Sequence, residues 1–168
     1  RCDGLVVAAG SEIERIQETY GVEPGRIGHI PNPMDVERWR PIDRTRARAK
    51  LGIPQAARVV VWHGHAQIRR KGLDILLDAW ELVCARSTLP KPLLLLVGTG
   101  RNTAELRRRT SGNPKILWID RYVLDRDELW RYLSAADIYC LPSRSEGFAV
   151  APVEAMSCGL PVVAANVS

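Results

Sequence analysis

Short apolar runs rich in β-branched residues recur along the chain, at 5–8, 27–30, 59–63, 93–97, 116–119, 138–141 and 162–164, with amphipathic or turn-forming stretches between them. Runs that are apolar throughout, rather than alternating with polar residues, belong to strands covered on both faces, and strands separated by helices pair in parallel. The expected fold is therefore α/β, a Rossmann-like doubly wound parallel sheet. The 168 residues suffice for one such domain, 1–168, and not for two substantial ones. Leu73, Leu76, Leu77, Trp80 and Val83 form the inward stripe of one helix over 72–86. Leu129, Trp130 and Leu133 face inward from another over 127–135. Ser11 with Glu14 three positions on has the form of a capping box, opening a helix that fades at Tyr20 and Gly21.

The net charge of +5 and pI near 9.3 raise nucleic acid as a partner. The distribution argues against it. Arg44, Arg46, Arg48 and Lys50 step around a helix, and Arg107, Arg108 and Arg109 are consecutive, so both sets read as solvated faces rather than one basic stripe. Peripheral contact with anionic headgroups stays open. No apolar run approaches the roughly 20 residues of a membrane-spanning helix. Cys2, Cys84, Cys140 and Cys158 include no Cys-x-x-Cys pair, and three of them lie inside apolar elements. Reduced core thiols and a cytoplasmic setting are expected. The chain opens at Arg1 and closes at Ser168 just after a strand-like run, and is read as an excerpt of a longer polypeptide.

In an open sheet of this kind ligands sit beyond the carboxyl ends of the strands, which directs attention to four loops. The loop after 138–141 carries Glu146, Gly147, Phe148, Ala149, Pro152 and Glu154. Proline is tolerated in a helix's first turn, so a helix begins near 149–151, and Gly159 with Pro161 ends it. Glu146 then precedes the helix and Glu154 lies just inside it, both bordering one mouth where free backbone N–H groups suit a diphosphate. Carboxylates repel phosphate but accept hydrogen bonds from hydroxyls, so a polyhydroxyl ligand that carries phosphate satisfies both groups. The plainer reading of the same spacing is a solvated Glu146 and a Glu154 that complements the helix dipole. The loop after 59–63 reads Gly64, His65, Ala66, Gln67, Ile68, Arg69, Arg70, Lys71, Gly72 and places Lys71 at the same mouth. His63 and His65 share a strand face, but no third ligand accompanies them, so no metal is expected. Gly98, Thr99, Gly100, Arg101, Asn102 and Thr103, with Asp120 further on, imitate a dinucleotide fingerprint whose third glycine is replaced by Thr103. After 116–119 come Asp120, Arg121, Tyr122, Val123, Leu124 and Asp125, the last a helix-capping residue.

The run from Glu146-Gly-Phe through Glu154-Ala-Met-x-Cys-Gly-Leu-Pro-Val-Val resembles the hallmark of family-four (group 1) retaining glycosyltransferases of GT-B fold. The likeness extends upstream through Ala136 to Ser143, Arg70-Lys71-Gly72, Ile30-Pro31-Asn32 and Val7 to Ser11, in the family's order. It implies the donor-binding C-terminal half of a GT-B fold, truncated, facing an acceptor-binding N-terminal domain of its own polypeptide. The ligand is a nucleoside-diphosphate sugar, held without metal or other cofactor. By the same resemblance Glu146 contacts donor sugar hydroxyls, Glu154 holds the ribose, and Lys71 binds the diphosphate. Backbone at Gly147, Phe148 and Ala149 faces sugar and phosphate, the glycine turn at Gly98 lets the donor approach, Gly64 is a further donor-binding residue, and Arg121, Tyr122 and Val123 lie near the base. Where the family has arginine this chain has His65, which is expected to serve as a partly protonated phosphate donor.

The activity this implies is transfer of a glycosyl unit to an acceptor hydroxyl with anomeric configuration retained, Glu146 and Lys71 being the catalytic pair and the excerpt alone being inactive. A nicotinamide-dependent oxidoreductase, a GT-B epimerase or phosphorylase, and a non-catalytic α/β binding module are the rival readings.

Overall fold

A computed structural model describes residues 2–37, 39–86, 88, 91–101 and 103–167; Asn102 of the glycine loop lies outside them. The elements follow in the order β1 (Leu5–Val7), α1 (Gly10–Tyr20), a short 3-10 turn (Pro24–Arg26), β2 (Ile27–His29), α2 (Arg44–Leu51), β3 (Arg58–His63), α3 (Leu73–Arg86), β4 (Pro92–Val97), α4 (Ala104–Thr110), β5 (Ile116–Ile119), α5 (Arg126–Ser134), β6 (Ile138–Leu141), α6 (Val150–Ser157) and β7 (Val162–Ala164). Five strands form one parallel sheet in the order β5-β4-β3-β6-β7. β1 and β2 do not join it. They pair with each other as a separate two-stranded parallel sheet, so the seven apolar runs divide between two sheets.

Alternation along β3 and β4 sorts side chains to the two faces of the large sheet. Trp62, Leu94 and Leu96 pack under α3 and α4 against Leu73, Leu76, Leu77, Trp80 and Leu106. Val59, Val61, Leu95 and Val97 pack on the opposite face with Ala47 of α2, Leu133 of α5 and Ala155 of α6. The sheet is thus doubly wound, and each fully buried leucine or valine in it contributes on the order of 1.5–3 kcal/mol.

Four local readings change. α1 begins two residues early, with Ala9 as its N-cap and no side-chain cap, so Ser11 is already helical and closes no capping box. Val83 is 40% exposed, because the stripe of α3 ends its burial at Trp80. Arg48 is not a solvated helix residue: it is 3% exposed and donates to Ala135 O, Gln55 O and the Asp137 carboxylate. Arg109 likewise is covered, at 16% side-chain exposure, and bridges Asp78 and Glu81 of α3. Asp125 caps α5 as expected, accepting from the Asp127 N–H at 3.0 Å. All four cysteines are free thiols; Cys158 is buried, and burial first, with the Glu154 charge adding, pushes its thiol up to about 11.

Candidate functional site

β3 lies between β4 and β6, and the chain winds outward from it in both directions, so the crevice beyond the carboxyl ends of β3 and β6 is where the fold leaves room for a ligand. Two loops meet there. The turn after β3 approaches the loop after β6 so closely that a Cβ on Gly72 would fall 1.8 Å from the Pro142 carbonyl oxygen, and Gly72 also adopts φ +63°. Arg144 completes the clasp. Its N–H donates to Arg70 O at 2.8 Å, and its guanidinium to Arg69 O at 2.7 Å and to both oxygens of Asp74 at 2.7 and 3.0 Å. The Arg144 hydrogen bond holds the Asp74 carboxyl below its usual range against the opposing effect of burial.

The clasp brings Lys71 onto Glu146. Lys71 Nζ donates to the two carboxylate oxygens at 2.7 and 2.8 Å, and the buried Ser143 hydroxyl donates to Oε1 at 2.5 Å. The two side chains are 17% and 10% exposed. Burial on its own would raise the Glu146 carboxyl, but the hydrogen bonds from Lys71 and Ser143 and the charges of Lys71 and Arg70 outweigh it and hold the group below the ordinary carboxylate range. Glu154, the fifth residue of α6, reaches the end of β3: its Oε2 lies 2.8 Å from His63 Nε2. The buried Tyr139 phenol donates to the His63 carbonyl oxygen at 3.3 Å, its ionisation pushed up by burial first and then by the charges of Glu154 and Glu146.

The other residues singled out by sequence distribute as follows. Ala149 caps α6 without a side-chain bond, which leaves the first-turn N–H groups of Val150 and Ala151 uncapped at the mouth, while Pro152 has none. Gly147 is exposed and Phe148 half-buried beside it. Gly147 faces Glu12 of α1, whose Oε1 lies 3.4 Å from where a Cβ would stand. A cavity of about 440 Å³ opens here, walled by Glu12, Glu14, Arg15 and Glu18 of α1 and by Ser145, Glu146 and Gly147. Gly98, at φ +129°, lies against Gly64; a Cβ there would come 2.0 Å from the Gly64 carbonyl oxygen. His65 and Tyr122 come together: their rings stack at 5.8 Å and 20°, and His65 Nδ1 is hydrogen-bonded to the Tyr122 hydroxyl. Arg121 turns instead to Glu128 of α5, and Val123 packs on the core. Asp120 is occupied within the chain by the Thr99 hydroxyl at 2.6 Å and by Arg107, so it is not offered to a ribose as a dinucleotide fingerprint requires. Among the described residues no group of three His, Cys, Asp or Glu side chains gathers as a metal site would.

Sequence reasoning missed the Ser143 contact with Glu146, the Asp74–Arg144 clasp and the His63 contact with Glu154. Only His63 left a trace, as a polar residue on the strand face that otherwise carries Val59 and Val61.

Comparison with known proteins accords with this geometry. The sequence matches the family described as glycosyl transferases group 1 over residues 57–168. D-inositol 3-phosphate glycosyltransferase 1 of Catenulispora acidiphila is 36% identical over 174 residues, covering 98% of this chain and 41% of that protein. The GDP-mannose-dependent monoacylated alpha-(1-6)-phosphatidylinositol monomannoside mannosyltransferase of Corynebacterium glutamicum is 31% identical over 173 residues, covering 96% and 44%. The chain spans about 40% of the length of such relatives. Sucrose-phosphate synthase from Thermosynechococcus elongatus superposes with TM-score 0.79 at 28% identity, covering 100% of this chain and 42% of that one. The Anabaena protein HepE, solved with UDP and glucose, superposes with TM-score 0.82 at 21% identity, covering 99% and 45%, a likeness of fold. With the family matched across the whole five-stranded sheet and its strand-end loops, the chain belongs to the group 1 glycosyl transferases.

Proposed function

We propose that this chain is a single nucleotide-sugar-binding domain of a retaining glycosyltransferase, which with an acceptor-binding N-terminal domain transfers a glycosyl unit from a nucleoside-diphosphate sugar to an acceptor hydroxyl. The observation that carries the reading is the convergence of Lys71 and Glu146 at the strand ends, with Glu154 reaching the same end of β3 from α6. A diphosphate shares the Lys71 ammonium with Glu146 and takes the uncapped N–H groups at the start of α6. As the bond to the sugar breaks, negative charge builds on the departing nucleotide, and this preorganised positive potential stabilises it. That supply of charge makes a metal unnecessary for the phosphates. Glu146, held ionised, accepts hydrogen bonds from sugar hydroxyls; Glu154 does the same for the ribose. His65, already tied to Tyr122 through Nδ1, turns its other nitrogen to the phosphate in place of arginine, and the base lies near Arg121, Tyr122 and Val123.

Val6, Tyr20 and Ile30 are 68%, 71% and 62% exposed in and beside β1, α1 and β2, apolar side chains that a further domain would cover. The names of the relatives support an acceptor that is an inositol phosphate or a phosphatidylinositol glycoside in those proteins. A cytoplasmic enzyme touching a membrane surface through its basic charge fits the proposal; no helix among the described residues is long and apolar enough to cross one.

The test is calorimetric titration with UDP, GDP, ADP, TDP and NADH, followed by turnover assays of Lys71→Ala and Glu146→Ala in the polypeptide that joins this chain to its acceptor domain. Binding of one nucleoside diphosphate and a loss of about 10²–10³ in turnover for each variant are expected, the scale of removing one electrostatic group from a transition state. Near-normal turnover in both, or binding of NADH alone, defeats the assignment.

A further inference from the structure

Position 63 closes a strand face whose other residues, Val59 and Val61, are buried and apolar. A third aliphatic side chain would complete it. Instead His63 stands there at 7% exposure, with Nε2 at 2.8 Å from Glu154 Oε2 and Nδ1 buried without a hydrogen-bond partner among the described residues. Its ring is fixed edge-on against Tyr139, centroids 5.3 Å apart at 67°, and the Tyr139 hydroxyl donates to the His63 carbonyl oxygen at 3.3 Å. A carboxylate has no hydrogen to give, so Nε2 carries the hydrogen of this contact, and Nδ1 is left without a partner. Leaving a buried ring nitrogen unpaired costs stability. A local rule broken at the mouth of a binding crevice points to function rather than to packing.

We propose that His63 is a positioning residue for Glu154: by anchoring one carboxylate oxygen it turns the other toward the paired hydroxyls of a ribose. The inference rests on the donor-site reading above and deepens it. A free glutamate carries three rotatable bonds, and freezing them on ligand binding is unfavourable. Strand β3 and the buried Tyr139 ring make that arrangement permanent before the nucleotide arrives. His63 does not touch the ligand; it acts through Glu154.

The experiment titrates UDP and GDP, each in its ribose and its 2′,3′-dideoxy form, into the full chain carrying His63, His63→Leu or His63→Gln. Wild type should prefer the ribose form of the nucleotide it binds. His63→Leu, close to histidine in volume, should weaken the ribose form about tenfold and leave the dideoxy form unchanged. His63→Gln, whose amide N–H can reach Glu154, should restore most of the preference. Unchanged dideoxy binding also certifies that the variant's site is folded. An unaltered ribose preference in His63→Leu, an equal weakening of both forms, or a Gln variant no better than the Leu variant overturns the proposal while the donor site stands. A wild-type chain that takes ribose and dideoxy forms alike overturns the ribose assignment of Glu154 and this inference with it, and one that binds none of UDP, GDP and ADP overturns the donor-site reading itself.

Discussion

Glu146 is nearly buried yet kept ionised, because Lys71 and Ser143 together give its two oxygens three hydrogen bonds. Its folded carboxyl titrates below the ordinary value of 4.5, so the unfolded chain binds the proton more readily than the folded one. The stability that Glu146 contributes is therefore complete above that value and lost as pH falls through the folded one. Glu146→Gln should be less stable than wild type by about 1–3 kcal/mol near neutrality, with the gap shrinking in acid. Denaturant unfolding between about pH 7 and about pH 3 measures it, and a gap that stays constant with pH refutes this account. Spacing alone brought Lys71, Glu146 and Glu154 to one end of the sheet, since each sits in the loop after a parallel strand or within the first five residues of the helix that follows. What spacing did not reveal is that Lys71 and Glu146, 75 residues apart, hold each other directly. That contact depends on how Gly72 lets one loop press against Pro142.

At the level of elements, periodicity sufficed to locate the strands and most helices, because burial on two faces leaves an apolar signature over 59–62 in β3 and 93–97 in β4. It failed where tertiary partners decide. The arginines of α2 look alike in sequence, yet Arg44 is 55% exposed and Arg48 3%, and both meet Asp137 at the entry to β6. Arg48 alone also satisfies the carbonyls of Ala135 and Gln55, while Asp137 accepts from the Val59 N–H at 2.8 Å, so one guanidinium joins α2, the end of α5 and the start of β3. Arg48→Met should cost about 3–5 kcal/mol by removing the more buried of Asp137's two arginine partners and leaving the Ala135 and Gln55 carbonyls without their donor. Arg44→Ala should cost less than about 1 kcal/mol. Chemical denaturation of the two variants, compared with wild type, checks the contrast; equal costs would mean that the pairing of Asp137 is shared rather than concentrated in Arg48.

Across the whole molecule, the apolar runs at either end of the chain looked equivalent in sequence, but only those from β3 onward build the large sheet. Residue pattern specifies that a strand forms; which neighbours it finds depends on the length and path of the irregular crossing between β2 and α2, where Pro31, Pro33 and Pro41 exclude regular structure. The small sheet pays for its independence. Val7 is the one buried residue in β1 and β2, and α1 buries none, whereas β3 and β4 are shielded on both faces. Such a unit opens without waiting for the rest. Deuterium labelling of the native chain should therefore resolve two populations of amides: rapid uptake across β1, α1 and β2, and uptake in β3, β4 and β6 slow enough to track global unfolding. A single protection level throughout would contradict the division. Two sheets in one chain thus become two clocks, and the faster runs in the segment that supplies Glu12, Arg15 and their neighbours to the wall facing Glu146.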